Sequence, residues 1–304
     1  MLARRRFLQL GGATVASALL PPMAGGAPAA TPPARAGDPL AIASAADFAA
    51  LEAASGGGLG VCILDTGSGR RVGHRQDERF PMCSTFKALL AAAVLAGVDR
   101  GQWSLDQRIA VREADLVPHA PLTRRHVGKD LTVRDLCRAT MTTSDNPAAN
   151  LLFGLMGGPP ALTAFLRAHG DAVTRSDRLE PEMNAFAPDD PRDTTSPAVM
   201  AASLARFAVG DALSPAARQQ LADWLIDNAT GDTCLRAGLG PRWRVGDKTG
   251  SDGKDTRNDV AVLWPRSGGA PWVVSAYLQG ATVDSDQRDA VLARAGQLAD
   301  ALIG

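Results

Sequence analysis

The 304-residue chain is poor in aromatic side chains and has no excess charge of either sign. Phe, Trp and Tyr together make up 5% of the residues, so a core must rest mainly on Ala, Leu and Val. Lys and Arg number 32, and Asp and Glu also number 32, which gives a formal net charge of zero. A neutral chain has no electrostatic reason to bind nucleic acid or an anionic membrane. The length allows one large domain or two small ones.

Cysteine and histidine are also scarce, with four residues of each. The cysteines are Cys62, Cys83, Cys137 and Cys234. Their spacing specifies no pair and contains no CxxC, and a chain of this size does not need disulfides, so we predict buried free thiols. The histidines lack the HxH and HExxH spacings of metal sites. We therefore predict neither a metal nor a cofactor.

Residues 1–29 have the three parts of an export signal. Arg4–Arg6 supply a positive start, Gly11–Leu20 a short apolar stretch and Ala27–Ala30 a small-residue cleavage site. The run RRRFLQ also resembles a twin-arginine signal, which directs folded proteins across the membrane. The alternative is a basic tail beside a hydrophobic helix, but the stretch is too short and Gly-rich to span a bilayer well. We expect an exported protein, periplasmic or secreted, without a stable membrane anchor.

Strand patterns occupy the two ends of the remaining chain, and helical patterns occupy its middle. A helix over Ala43–Ser55 precedes a hairpin over Leu59–Arg75. Strands return after Thr230, and Gln287–Ile303 forms a last helix. The predicted helices of the middle are Thr85–Asp99, Val133–Thr142, Pro147–Met156, Pro159–Ala168, Ser196–Phe207 and Pro215–Asn228.

This order of elements predicts an α+β fold. Residues 40–76 and 229–304 are expected to form an antiparallel sheet flanked by helices. Residues 77–228 are expected to form an inserted all-helical lobe, with an active site in the cleft between the two parts.

Ser84 and Lys87, in the segment MCSTFK, stand one helical turn apart at the start of a strongly apolar run. A serine hydroxyl is a weak nucleophile unless a base takes its proton. A lysine one turn away can do this if burial lowers its pKa. The alternative is an ordinary helix start, with Ser84 as the N-cap and Lys87 in solvent.

Three further segments carry polar residues at element boundaries. SDN at positions 144–146 precedes a helix, KTG at 248–250 lies in a strand pattern, and RLEPEMN at 178–184 lies in a Pro- and Asp-rich loop. Taken singly, each has an ordinary structural explanation: a helix cap, a strand end with turn residues, and a solvated loop carboxylate.

Together, and in their order along the chain, the four segments resemble the motifs of class A serine β-lactamases and penicillin-binding proteins. The resemblance runs from the hairpin near Leu59 to the last helix. Glu180 and Asn184 favour the β-lactamases, because penicillin-binding proteins generally lack them. The implied activity is hydrolysis of the β-lactam amide of penicillins and cephalosporins, which gives resistance to these antibiotics. Two alternatives stay open: a cell-wall DD-peptidase that penicillin traps, and a β-lactam sensor without enzymatic activity.

The resemblance implies catalytic roles for four residues. Ser84 attacks the lactam carbonyl and becomes acylated, and Ser144 relays a proton to the leaving nitrogen. Glu180, with Asn184, holds the water that hydrolyses the acyl-enzyme. The base for acylation stays open between Lys87 and Glu180.

The resemblance also implies a set of substrate-binding residues: Asn146, Asn184, Lys248, Thr249, Gly250, Ser251, Arg257 and His119. Lys248, Thr249 and Arg257 are expected to hold the substrate carboxylate. The backbone N–H groups of Ser84 and Ser251 are expected to form the oxyanion hole. The partner is thus a small β-lactam, and we expect a monomer.

Some positions depart from the family pattern. His119 stands where the family usually has an aromatic ring that packs on the drug, so that contact can become pH-dependent.

Cys83 matches a cysteine of family carbapenemases, but Asp252 stands where they carry its disulfide partner. The bridge is therefore absent, and efficient carbapenem hydrolysis is not implied. Asp252 also brings a negative charge to the pocket edge, which is expected to disfavour substrates with acidic side chains. Arg178 and Asp193 match a loop-clamping ion pair.

Overall fold

The structure, a computed structural model, describes residues 39–304, and the predicted export signal lies outside the described residues. Its α-helices are α1 (Pro39–Ser55), α2 (Phe86–Asp99), α3 (Val133–Thr142), α4 (Asn146–Met156), α5 (Pro159–Ala168), α6 (Pro197–Ala208), α7 (Pro215–Ile226), α8 (Leu235–Gly238) and α9 (Ser285–Ile303). Its strands are β1 (Gly58–Asp65), β2 (Arg71–His74), β3 (Phe80–Pro81), β4 (Arg108–Ala110), β5 (Asp130–Thr132), β6 (Thr194–Thr195), β7 (Trp243–Ser251), β8 (Arg257–Pro265) and β9 (Trp272–Gln279).

The two ends of the chain meet in one five-stranded antiparallel sheet with the order β2-β1-β9-β8-β7. Side chains alternate between the faces of a strand, so Val61 and Ile63 enter one core while Cys62 and Leu64 enter the other. One core lies against the helical block, and the second lies against α1, α8 and α9. The predicted α+β fold with a discontinuous, helix-flanked sheet is confirmed.

Helix α2 lies at the centre of the helical block. Its residues from Phe86 to Gly97 are all buried, as expected for a helix that is apolar on every side. It packs against α3, α4, α5, α6 and α7. Its N-terminal end is preceded by a short 3₁₀ turn over Cys83–Thr85, which contacts β7 at the edge of the sheet. The MCSTFK segment is therefore held where the helical block meets the sheet.

Two predicted helices, α3 and α5, have the bounds that the sequence indicated, and most of the others differ by one or two residues at an end. Helix α7 ends at Ile226 rather than at Asn228, because the Asn228 N–H bonds to the Leu225 carbonyl three residues back and the Ala229 N–H bonds to the Thr142 carbonyl. The Asn228 side chain donates to Asp247 Oδ2 at 2.6 Å. The helical block also holds two short ladders, β3 with β6 and β4 with β5, which the sequence analysis did not predict. Strands of two or three residues are too short to show a period of two. The boundaries between the lobes stay a prediction.

All four cysteines are free and buried, as predicted. Within residues 39–304, no single helix is both long and apolar enough to cross a membrane, and α4 and α5 meet those criteria only as a bent pair.

Candidate active site

Lys87 lies at the centre of a buried polar cluster and has no exposed surface. Its Nζ lies 2.8 Å from Ser84 Oγ, 2.8 Å from the Ser144 carbonyl oxygen and 2.5 Å from Asn146 Oδ1. It also lies 3.1 Å from Glu180 Oε1. The alternative that places Lys87 in solvent is therefore wrong, because every contact of its ammonium is made inside the protein.

The turn that carries Ser84 is fixed by its neighbours. Thr85 Oγ1 donates to the Met82 carbonyl at 2.8 Å and also meets the Tyr277 hydroxyl at 3.1 Å. Cys83 takes a left-handed conformation, with a φ of 44°. A Cβ at Gly250 would lie 2.8 Å from the Met82 carbonyl oxygen and 3.1 Å from Ser84 N, so strand β7 can pass this close only because position 250 is glycine.

The SDN segment serves as a helix cap and as part of the site. Asp145 is the N-cap of α4, since its Oδ1 accepts from Ala148 N at 3.0 Å. The same carboxylate accepts from the backbone N–H and the hydroxyl of Thr123, which ties the segment to the preceding loop. Ser144, with a φ of 59°, and Asn146 are thereby turned towards Lys87.

Ser144 Oγ lies between two buried ammonium groups. It is 3.3 Å from Lys87 Nζ and 3.2 Å from Lys248 Nζ. Burial, and then the charge of Lys87, lower the pKa of Lys248 to about 7. Burial also lowers the pKa of Lys87, although the carboxylate of Glu180 opposes that shift. Burial thus lowers the pKa of both lysines that flank this hydroxyl.

Glu180 reaches this cluster from the loop between α5 and α6. Its Oε1 accepts from Ser84 Oγ at 3.4 Å, and its Oε2 accepts from Asn184 Nδ2 at 2.7 Å. The backbone of Glu180 is held from both sides by Asn150, whose Nδ2 donates to the carbonyl at 2.8 Å and whose Oδ1 accepts the N–H at 2.9 Å. Asn150 was not predicted from the sequence, where its only signal is an amide within the apolar pattern of α4.

The ends of this loop are joined by an ion pair. Arg178 Nε donates to Asp193 Oδ2 at 2.6 Å, and Asp193 is 1% exposed. The other oxygen of Asp193 accepts the backbone N–H groups of Asp177 and Arg178 at 2.7 and 3.1 Å. The loop carrying Glu180 is therefore closed by one buried carboxylate, since three donors converge on it.

Arg257 is anchored at the other end of the site. Its Nε donates to Asp289 Oδ1 at 2.6 Å, and its Nη2 lies 3.1 Å from Cys234 Sγ and 3.2 Å from the Thr230 carbonyl. Burial raises the pKa of Asp289, but hydrogen bonds from Thr233 and Arg257 outweigh it and the pKa is lowered. Asp289 thus supplies a charged partner that the sequence analysis did not identify.

A cleft of about 600 Å³ opens above these groups. The predicted site residues that line it are Ser84, His119, Ser144, Asn146, Asn184, Thr249, Gly250, Ser251 and Arg257. Lys87, Glu180 and Lys248 lie beneath it with almost no exposed surface. His119 stands at the rim with a φ of 64°, and its Nε2 donates to the Thr143 carbonyl at 2.9 Å. All twelve predicted site residues thus belong to one cleft and its floor.

This arrangement suits acyl transfer. One hydroxyl, Ser84, has two basic side chains within reach, Lys87 and Glu180, and Ser144 connects the first of them to Lys248. Two bases around one nucleophile allow one proton to be removed as an acyl group is gained and another as it is lost to water. Among residues 39–304, no cluster of three His, Cys, Asp or Glu side chains forms a candidate metal site.

Comparisons with known proteins agree with this chemistry. Residues 43–302 match the model of the "Beta-lactamase enzyme family". The chain is 65% identical to "Beta-lactamase L2" of Stenotrophomonas maltophilia, over the full length of both. A crystal structure of L2 complexed with relebactam superposes with a TM-score of 0.84 at 69% identity, covering 88% of this chain and 99% of that one. An ancestral class A β-lactamase gives a TM-score of 0.82 at 60% identity, covering 84% of this chain and 98% of that one.

Proposed function

The chain belongs to the class A serine β-lactamases and hydrolyses the amide bond of β-lactams, and we propose that it does so through an acyl-enzyme on Ser84. The observation that carries this proposal is the position of Glu180 Oε1, 3.1 Å from Lys87 Nζ and 3.4 Å from Ser84 Oγ. A carboxylate placed there distinguishes turnover from trapping. Acylation of a serine without a second base leaves a stable covalent complex.

In the first half of the reaction, Ser84 Oγ attacks the lactam carbonyl and gives up its proton. Lys87 can receive it directly at 2.8 Å, and Glu180 can receive it through a water. The N–H groups of Ser84 and Ser251 then stabilise the oxyanion. As the C–N bond breaks, Ser144 Oγ passes a proton to the lactam nitrogen, supplied by Lys87 or Lys248 at 3.3 or 3.2 Å.

In the second half, Glu180 takes a proton from the water that attacks the ester. Asn184 Nδ2 holds Glu180 Oε2 at 2.7 Å, so the carboxylate keeps one orientation. Asn150 fixes the backbone of Glu180 at the same time. The ester carbon–oxygen bond breaks, Ser84 Oγ takes back the proton that Glu180 removed from the water, and the opened acid leaves.

The remaining residues place the substrate. Lys248, Thr249 and Arg257 hold its carboxylate at one end of the cleft, and Asn146 binds the side-chain amide. Gly250 lets the backbone of β7 approach, and His119 packs against the drug at the rim.

The decisive test is turnover of a chromogenic cephalosporin by the purified protein. We expect continuous hydrolysis, in which each enzyme molecule hydrolyses many substrate molecules. A single stoichiometric burst would instead identify a penicillin-trapped DD-peptidase or a sensor, and would reject the hydrolase.

Class A β-lactamases are typically exported. We further propose that residues 1–29 direct this chain through the twin-arginine route. We also propose that the mature protein is a monomer. The support is the segment RRRFLQ at positions 4–9. Replacing Arg4 and Arg5 with lysine should leave the uncleaved precursor in the cytoplasm, which fractionation and intact mass would show. Unchanged export would reject the twin-arginine route, and light scattering of the mature protein would give its mass in solution.

A further inference from the structure

The five-residue turn that joins β7 to β8 is held by its own side chains and by one outside contact, in which the Ala281 N–H donates to the Asp255 carbonyl at 3.0 Å. Asp252 Oδ1 accepts two backbone N–H groups, from Lys254 at 2.9 Å and from Thr256 at 3.0 Å. Ser251 Oγ accepts a third, from Gly253 at 3.0 Å. Asp252 is half-buried, so one of its oxygens closes the turn from within rather than pointing to solvent.

This turn connects two groups of the active site. Ser251, which ends β7, pairs with Arg257, which begins β8, as the last pair of the ladder. Beyond this pair β7 and β8 have no further ladder contact with each other, so the turn helps to fix Ser251. Arg257 is also held by its pairing with Leu278 of β9 and by Asp289. On its other side β7 lies against the Ser84 turn, because a Cβ at Gly250 would come within 3.1 Å of Ser84 N. A small shift in the turn therefore changes the spacing between the N–H groups of Ser84 and Ser251.

We propose that Asp252 is a positioning residue for acylation: by accepting the N–H groups of Lys254 and Thr256, it holds the Ser251 N–H and Arg257 where the reacting substrate needs them. The inference rests on the proposed function, since it assumes that Ser84 is the acylated residue. Two oxyanion donors are effective only at a fixed separation, and small misplacements of such groups cost large factors in rate. Asp252 also lines the cleft, but the proposed effect on acylation acts through the backbone.

Two substitutions of Asp252 distinguish its role as a hydrogen-bond acceptor from the effect of its negative charge. Asp252→Asn removes the charge but keeps an oxygen at the same distance from the backbone, and asparagine forms the same turn. Asp252→Glu keeps the charge but moves the carboxylate one methylene away from the two N–H groups. Asp255, in the same turn and exposed, is a matched control, because Asp255→Asn removes an equal charge without removing a backbone acceptor.

The experiment measures the rate constant for acylation of Ser84 at saturating penicillin, by rapid quenching and intact mass. We expect acylation to slow on the order of tenfold in Asp252→Glu and to stay near the wild-type rate in Asp252→Asn and Asp255→Asn. Melting temperatures are recorded in parallel, and rates are taken well below them, so that a loss of folded protein does not contribute.

Two outcomes would overturn the inference: wild-type acylation in Asp252→Glu, or equal slowing in Asp252→Asn and Asp252→Glu. If acylation slowed in Asp252→Asn and Asp255→Asn but not in Asp252→Glu, the effect would come from the loss of negative charge. That result would also reject the inference. Should Asp252→Glu fail to fold, Asp252→Ala serves in its place, because it too removes the acceptor. Acylation without turnover in the wild-type protein would refute the hydrolase but leave this comparison intact, since acylation alone is measured.

Discussion

Lys87 Nζ lies 3.1 Å from Glu180 Oε1, and both side chains are fully buried. The two residues come from a helix and a distant loop, so their meeting depends on the whole fold. Burial lowers the pKa of Lys87, and the Glu180 carboxylate opposes that shift. The contact with Glu180 therefore favours the charged form of Lys87, against the effect of burial.

Glu180→Gln should convert the enzyme into one that is acylated but not released. Glutamine keeps the shape and the contact with Asn184, but it cannot take a proton from water. General base catalysis typically contributes a factor of about 10² to 10⁴, and deacylation should slow by that order. Intact mass after mixing with a penicillin would show persistent acyl-enzyme.

The control for this change is Glu182→Gln, in the same loop but exposed, which should leave turnover unchanged. Wild-type turnover in Glu180→Gln would remove Glu180 from the deacylation step.

The pH dependence of kcat/KM should have a falling alkaline limb governed by Lys248. Burial and the charge of Lys87 lower the pKa of Lys248 to about 7. Lys248 is therefore charged below that pH and loses its charge as the pH rises through it, which weakens binding of the substrate carboxylate. The limb should appear in kcat/KM rather than in kcat, because a bound carboxylate favours the charged form.

Lys248→Arg should move that limb to higher pH, since a guanidinium keeps its charge. A β-lactam methyl ester, which lacks the carboxylate, should show no such limb with the wild-type enzyme. An identical limb for the acid and the ester would assign it to another group.

Asp193→Ala should destabilise the protein and slow deacylation. Asp193 is 1% exposed and accepts from Arg178 and from two backbone N–H groups, so its removal leaves three donors without their acceptor. Breaking a buried ion pair of this kind typically costs about 3–5 kcal/mol in the free energy of unfolding, and partial exposure of Arg178 favours the lower end. Urea denaturation would measure the change.

The matched control is Asp190→Ala, which breaks the ion pair between Asp190 and Arg192 in the same loop. The Arg192 side chain is 52% exposed, so water can solvate it after the change and the loss should be smaller. Equal losses from the two variants would mean that the Asp193 contacts do not hold the loop.

Arg257→Ala should raise KM for substrates that carry the carboxylate, with a smaller effect on kcat. A hydrogen bond to a charged group contributes about 1.5–3 kcal/mol, which corresponds to a rise of roughly tenfold or more. Steady-state kinetics with a penicillin would measure it. Lys254→Ala removes another cation that lines the cleft and should change KM little. A KM rise of equal size for the methyl ester would exclude carboxylate binding as the cause.

Local sequence determined the helices and the residues that begin them. The bounds of α3 and α5 follow from hydrophobic periodicity, and the SDN segment supplies the cap of α4, as its place ahead of Pro147 indicates. The spacing of Ser84 and Lys87 places both on one helical face, because three residues make nearly one turn. These features depend on interactions between residues a few positions apart, so the local sequence is enough to predict them.

Tertiary structure alone decided how the segments meet. Ser84 contacts Glu180 across 96 positions, and Lys248 contacts Ser144 across 104. No local propensity specifies such pairings, which arise because burial of the apolar faces of α2 and the sheet brings their polar ends together. The roles of Asn150, Asp289 and the Asp252 carboxylate were likewise invisible, since an isolated amide or carboxylate in a sequence does not reveal which backbone or side-chain donors it will face.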